Sequence, residues 1–164
     1  MNRLQKAYIS AGSNIGDRKA NLDFALESLS KKGTVARVSS CFETQPVGFA
    51  DQPWFLNIAI EFLTVLLPLD LLELCNDIER IRGRIRTFPN APRVLDLDIL
   101  LYDDIIMHDE RLTIPHPRLQ DRKFVLAPLA QIAPEVIHPV LKKSVRTLLE
   151  SCPDLSEVRI FGCR

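Results

Sequence analysis

Along residues 6–102 the spacing of apolar side chains switches between a period of two and one of about 3.6, in the order strand, helix, strand, strand, helix, strand. Few folds accommodate that order. Residues 6–11 (KAYISA) predict a strand that runs into a Gly12-Ser13-Asn14-Ile15-Gly16 turn, where Asp17 is placed to cap a helix. Leu22, Ala25, Leu26 and Leu29 fall at i, i+3, i+4 and i+7, and Lys31, Lys32 and Gly33 end that helix. Two longer strands are expected over 34–44 and 55–65, joined by a loop in which Pro46, Gly48 and Pro53 oppose regular structure. Leu71, Leu74, Cys75, Ile78 and Ile81 restore helical spacing between Pro68 and Arg82, with Asp70 available near the start. Residues 94–102 (VLDLDILLY) read as a strand, and an Asp103-Asp104 turn leads into 105–108. The order βαββαβ matches the α+β class and a ferredoxin-like sandwich, an antiparallel sheet with helices packed on it; helices over 124–132 and 143–151 are C-terminal additions.

No repeat, low-complexity tract or long linker divides the 164 residues, so one domain spanning 1–164 is expected. The 21 Lys and Arg balance 21 Asp and Glu; no global field draws in nucleic acid or an anionic membrane, and any anion site must be local. The N-terminus lacks an apolar signal segment, and the longest apolar run, 62–69, is far short of a membrane span. The expectation is a cytoplasmic monomer with no nucleic-acid or membrane partner. Cys41, Cys75, Cys152 and Cys163 are scattered singly, the pattern of reduced thiols.

Asp96 and Asp98 alternate with leucine, so both carboxylates project from the same face of a strand, roughly 6.5–7 Å apart along the backbone. An edge strand with one wet face shows the same alternation, and for the tripeptide alone that blander reading is the commoner. Here Val94, Leu95, Leu97, Ile99, Leu100 and Leu101 give the segment a buried-strand character, in which two free carboxylates are costly unless neutralised. Mg²⁺ commonly takes one or two carboxylates and completes its shell with phosphate oxygens. Just upstream lie Arg80, Arg82, Arg84, Arg86 and Arg93. A solvated helix end explains most basic runs, but this one passes Gly83 into a loop with Pro89 and Pro92, where guanidinium forks suit a polyphosphate. Neither GxxxxGK[ST] nor GxGxxG occurs, which sets aside an ordinary P-loop kinase. His116, between Pro115 and Pro117, reads by itself as a turn residue, and Phe55 and Phe124 read as core.

Five segments, AYISAGSNIGD, TQPVGFADQPWFLN (44–57), IERIRGRIR (78–86), APRVLDLDILLYDD (91–104) and ERLTIPHPRLQDRKFVLAPLAQIAPE (110–135), agree in order and spacing with one known pattern. The chain resembles the 6-hydroxymethyl-7,8-dihydropterin pyrophosphokinase family. The resemblance implies an ATP-dependent diphosphotransferase of folate biosynthesis, which moves the pyrophosphoryl group of ATP to the hydroxymethyl group of 6-hydroxymethyl-7,8-dihydropterin and releases AMP. It implies two Mg²⁺ ions on Asp96 and Asp98, with ATP as co-substrate, and a catalytic set of Arg84, Arg93, Asp96 and Asp98. Glu79, Arg84, Arg93, Ile99, Thr113, His116 and Arg122 would lie on the nucleotide side. Thr44, Val47, Asn57 and Asp96 would face the pterin, its ring between Phe55 and Phe124. The chain departs from the common pattern at Pro89, where a basic residue is usual, at Asn90, where an aromatic is usual, and at Gln45 and Pro117. The alternative is a non-catalytic ferredoxin-like module for nucleotide sensing or RNA binding. RNA binding needs aromatic and basic residues on the central strands, whereas the strand at 94–102 carries Asp.

Overall fold

Asp17 starts the first helix, as its position predicts: its carboxylate accepts the Ala20 N–H at 3.0 Å. The computed structural model describes residues 3–84 and 88–162; Arg86 and Cys163 lie outside the described residues. The chain order is β1 (Gln5–Ser13), α1 (Arg18–Ser30), β2 (Thr34–Val38), β3 (Phe42–Thr44), β4 (Phe55–Thr64), α2 (Pro68–Ile81), β5 (Asp96–Tyr102), β6 (Met107–His108), β7 (Thr113–Ile114), α3 (Lys123–Ile132), α4 (Val145–Glu150) and β8 (Val158–Ile160). In the six-stranded sheet β1 lies antiparallel between β5 and β4, and β2 and β3 both pair with β4 on its far side.

Period-two burial sends Ala7, Ile9 and Ala11 of β1 to one face, where they pack with Leu22, Ala25 and Leu29 of α1 and Leu71, Cys75 and Ile78 of α2. Tyr8 points to the other face and joins Leu126 and Leu129 of α3 and Leu148 of α4. The two C-terminal helices therefore close the second side of the sheet. A bulge between the Tyr8–Leu101 and Ile9–Ile99 pairs lets Leu100 and Leu101 share the α3 side and returns Tyr102 to the α1–α2 side.

Two expectations, the length of the second strand and the start of the last, are corrected. The strand over 34–44 is two strands, because Ser39 replaces a ladder carbonyl with its hydroxyl: its Oγ accepts the Ala59 N–H at 2.9 Å while its own N–H bonds Ala59 O at 3.0 Å. The last main strand begins at Asp96, two residues late. Leu67, without a side-chain bond, stands at the N-cap of α2; Pro68 opens the helix and Asp70 only adds a favourable charge to the first turn. The β6–β7 hairpin and β8, an edge strand on β3, were not expected, since two- and three-residue strands carry no periodic signal. Among the described residues no helix is long and apolar enough to cross a membrane.

Candidate active site

Three neighbouring strands, β5 at the sheet edge, β1 and β4, put a polar row at one end of the α3-covered face: Gly12 is the cross-strand partner of both Asn57 and Asp96, and Ser10 is the partner of Asp98. Gly12 is needed there, because a Cβ would run into the Asn57 side-chain oxygen. Asn57 Nδ2 donates to Thr44 Oγ1 at 2.6 Å, which leaves the Asn57 Oδ1 lone pairs and the Thr44 hydroxyl hydrogen as a paired acceptor and donor. Above them opens a cavity lined by Thr44, Gln45, Val47, Phe55, Asn57, Arg93, Asp96, Arg122 and Phe124. All six residues expected on the pterin side meet in it, joined by Arg93 and Arg122, which were expected on the nucleotide side.

The arginine run divides. Arg80 pairs with Asp77 at the surface, and Arg82 turns away to Asn21 Oδ1, 2.8 Å, and the Phe24 ring. Arg84 and Arg93 converge on Asp96 from two segments: Arg84 Nη1 lies 2.7 Å from Oδ1 and Arg93 Nη1 lies 2.9 Å from Oδ2. Glu79, buried on α2, ties this pair to the sheet by bonding Arg84 Nη1 at 2.8 Å and the Leu97 N–H at 2.7 Å. Arg84 Nε is buried and has no acceptor, the one such side-chain atom among the described residues. A buried guanidinium donor in that state lacks an oxygen, and a phosphate supplies one.

Asp98 shares the Asp96 side of β5 but, among the described residues, receives no hydrogen bond. Burial and the adjacent Asp96 and Glu79 carboxylates push it up to about 7, against the pull of Arg122 and Arg84. A carboxylate raised in this way, beside a second one and without a donor, suits a divalent cation, so the donor set fits the Mg²⁺ that the resemblance implies. Ile99, also expected at the nucleotide, buries its side chain in the core on the opposite face. Thr113 lies on the β6–β7 hairpin, and His116 bonds Leu100 O through its N–H at 2.9 Å. His116 Nδ1 accepts the Arg118 N–H at 3.1 Å, so in the neutral ring Nε2 carries the proton and can donate. Burial, then Arg122, bring this ring down to about 4.

A family model for 7,8-dihydro-6-hydroxymethylpterin-pyrophosphokinase matches residues 8–134, which includes every residue of this centre. The chain belongs to that pyrophosphokinase family.

Among relatives of the pterin pyrophosphokinase family, the enzyme named 2-amino-4-hydroxy-6-hydroxymethyldihydropteridine pyrophosphokinase in Bacillus subtilis is 50% identical over 132 residues, 79% of each chain. Folic acid synthesis protein fol1 of Schizosaccharomyces pombe is 44% identical over 158 residues, 95% of this chain but 21% of that protein. The chain thus spans about a fifth of the fol1 relative. The crystal structure of wild-type Plasmodium falciparum HPPK-DHPS superposes with a TM-score of 0.74 at 18% identity, over 92% of this chain and 45% of that one, a likeness of fold. The match to pterin pyrophosphokinases does not favour the non-catalytic readings.

Sequence reasoning treated Asn14 as a turn residue and passed over Gln52, although both are tied to the arginine-bearing loop. The SNIGD run inside the family pattern was the available signal. Of the departures from the pterin pyrophosphokinase pattern, Asn90 takes a left-handed conformation (φ 59°) directly under Gly48, whose own φ of 86° and missing Cβ admit the contact.

The His116 shift sets a pH dependence. Between pH 6.5 and about 4 the unfolded chain takes up a proton that folded His116 refuses, so this group's contribution is present above pH 6.5 and lost as pH falls through that window. With allowance for its partial contact with water the loss is on the order of 2 kcal/mol. His116→Gln should flatten the drop in urea stability between pH 7 and 4.5 by that amount; identical slopes would contradict the assignment.

Proposed function

We propose that the chain catalyses pyrophosphoryl transfer from ATP to 6-hydroxymethyl-7,8-dihydropterin in folate biosynthesis. The observation that carries this reading is the convergence, on one cavity, of two aromatic rings, the Asn57–Thr44 amide–hydroxyl pair and Asp96 gripped by two arginines. The flat heterocycle stacks between Phe55 and Phe124, and Asn57 and Thr44 answer its polar edge. The hydroxymethyl oxygen forms a bond to the β-phosphorus as the bond from that phosphorus to the α,β-bridging oxygen breaks; AMP leaves with the bridging oxygen, and the hydroxyl proton passes to solvent. Arg84 and Arg93 stabilise charge on the transferring group, with the orphaned Arg84 Nε as a donor to a phosphate oxygen. Glu79 fixes Arg84, and His116 Nε2–H and Arg122 are donors on the nucleotide side. Two Mg²⁺ ions held by Asp96 and Asp98 would, when bound, offset the charge of the phosphates. Positioning and electrostatics carry the step, and no general base is assigned.

The strand order β5–β1–β4 followed by β2 and β3 supports reading the sheet as ferredoxin-like once β2 and β3 count as one broken strand. The proposal also takes 1–164 as one catalytic domain, monomeric and cytoplasmic, with small-molecule substrates only; its balanced charge supports the absence of a nucleic-acid partner.

Incubation with ATP, Mg²⁺ and the dihydropterin, followed by separation of nucleotides, should yield AMP in step with pterin diphosphate. ADP as the product would overturn the reading. Phe55→Ala should raise the pterin KM roughly 10–100-fold and leave the ATP KM within about threefold, since the ring supplies stacking to one substrate alone. Equal effects on both substrates would place Phe55 elsewhere.

A further inference from the structure

Loop 45–54 and the segment bearing Arg93 meet on one buried side chain, Asn14 in the β1–α1 turn. Asn14 Oδ1 accepts the Arg93 N–H at 2.8 Å, and the Asn14 N–H donates to Arg93 O at 3.0 Å, so both backbone groups of Arg93 are held. Asn14 Nδ2 donates to Gln52 Oε1 at 2.8 Å and to Pro53 O at 2.9 Å. The orientation of the amide is fixed, because Arg93 N–H can only donate and Pro53 C=O can only accept. Gln52 carries the tie onward through Nε2 to Phe49 O and, at 2.9 Å, to Asn90 O. The anchor itself is rigid: Asn21 of α1 holds the turn by donating to Ser13 Oγ and Ile15 O.

These bonds span the two working walls of the cavity. Pro53 lies two residues before Phe55, and the Arg93 guanidinium sits 5.3 Å from the Phe55 centroid while bonded to Asp96. We propose that Asn14 is a positioning residue that sets the distance between the pterin-stacking ring and the phosphate-gripping arginine, and that Gln52 extends its hold to the loop at Asn90. This rests on the function proposed for the cavity. An amide is required in that place because one oxygen and one NH₂ must face opposite partners at once; an apolar side chain of the same size would leave the Arg93 N–H and the Pro53 carbonyl without partners. The two ends of the amide serve different substrates, so they can be cut separately.

Asn14→Asp keeps the acceptor for Arg93 and loses both donated bonds; Asn14→Ala loses both ends; Gln52→Leu cuts the Asn14–Gln52 bond and the extension to Asn90 but leaves the bond to Pro53 O. Steady-state kinetics on the three full-length variants should give a pterin KM raised about tenfold in all three, with kcat within about fivefold of wild type for Asn14→Asp and Gln52→Leu and down roughly 50–100-fold for Asn14→Ala. The ATP KM of Asn14→Asp and Gln52→Leu should stay within about threefold of wild type. A uniform fall in kcat with unchanged pterin KM overturns the inference, as does an Asn14→Ala protein that melts lower yet keeps wild-type constants. Should Asn14→Ala fail to fold, the Asn14→Asp and Gln52→Leu split decides alone. A wild-type chain that forms no AMP overturns the underlying reading and this inference with it.

Discussion

Asp98→Ala should lower turnover by at least about 10³-fold at saturating Mg²⁺ and leave the metal-free fold in place. Asp98 makes no hydrogen bond to the described residues, so its truncation breaks none of theirs, whereas Asp96 is bonded by two arginines and its loss would take a carboxylate partner from each. Burial next to Asp96 and Glu79 disfavours the ionised form that a cation needs, and above pH 7 the metal-free protein carries that cost. The isosteric Asp98→Asn removes the charge without opening a cavity. It should therefore melt several degrees higher than wild type at pH 8 without Mg²⁺, a site destabilised for the sake of its chemistry. Calorimetry and a nucleotide assay on the same samples check both halves. Near wild-type turnover of Asp98→Ala would remove the metal role.

Arg93→Ala is expected to reduce kcat roughly 10²–10³-fold while weakening equilibrium pterin binding less than about fivefold. The asymmetry follows from geometry. The Arg93 backbone is anchored at both its N–H and its C=O, so truncation deletes the guanidinium without moving the segment. What is lost is one of two cations on Asp96 and a fork available to the phosphates, charge that matters most while the pyrophosphoryl group is in transit. The guanidinium also rests over Phe55, which accounts for the smaller loss in binding. Single-turnover rates set beside pterin dissociation constants separate the two, and equal losses would assign Arg93 a ground-state role.

Much of this was legible in local pattern. The period switches located β1, α1, β4, α2 and β5 to within a few residues, and Asp96 and Asp98 share a strand face because alternation allows nothing else. The pterin-side residues came instead from resemblance, since Phe55 and Phe124 look like core in isolation. What stayed hidden depends on contacts between distant segments. Asn14 and Arg93 are 79 positions apart, and no periodicity links them. The run of arginines looked like one patch, yet Arg82 is drawn off by Asn21 and Phe24 on α1, a partner visible only after the helices pack. The Ser39 hydroxyl that breaks the second strand likewise acts through a residue 20 positions away.

The most direct test is a crystal structure with Mn²⁺ in place of Mg²⁺, a non-hydrolysable ATP analogue and the dihydropterin, with the metal located by its anomalous signal. The account predicts anomalous peaks bridging the Asp96 and Asp98 carboxylates to the analogue's phosphates, and the pterin ring between Phe55 and Phe124. Carboxylates turned to bulk solvent, with metal and nucleotide bound elsewhere, would contradict it.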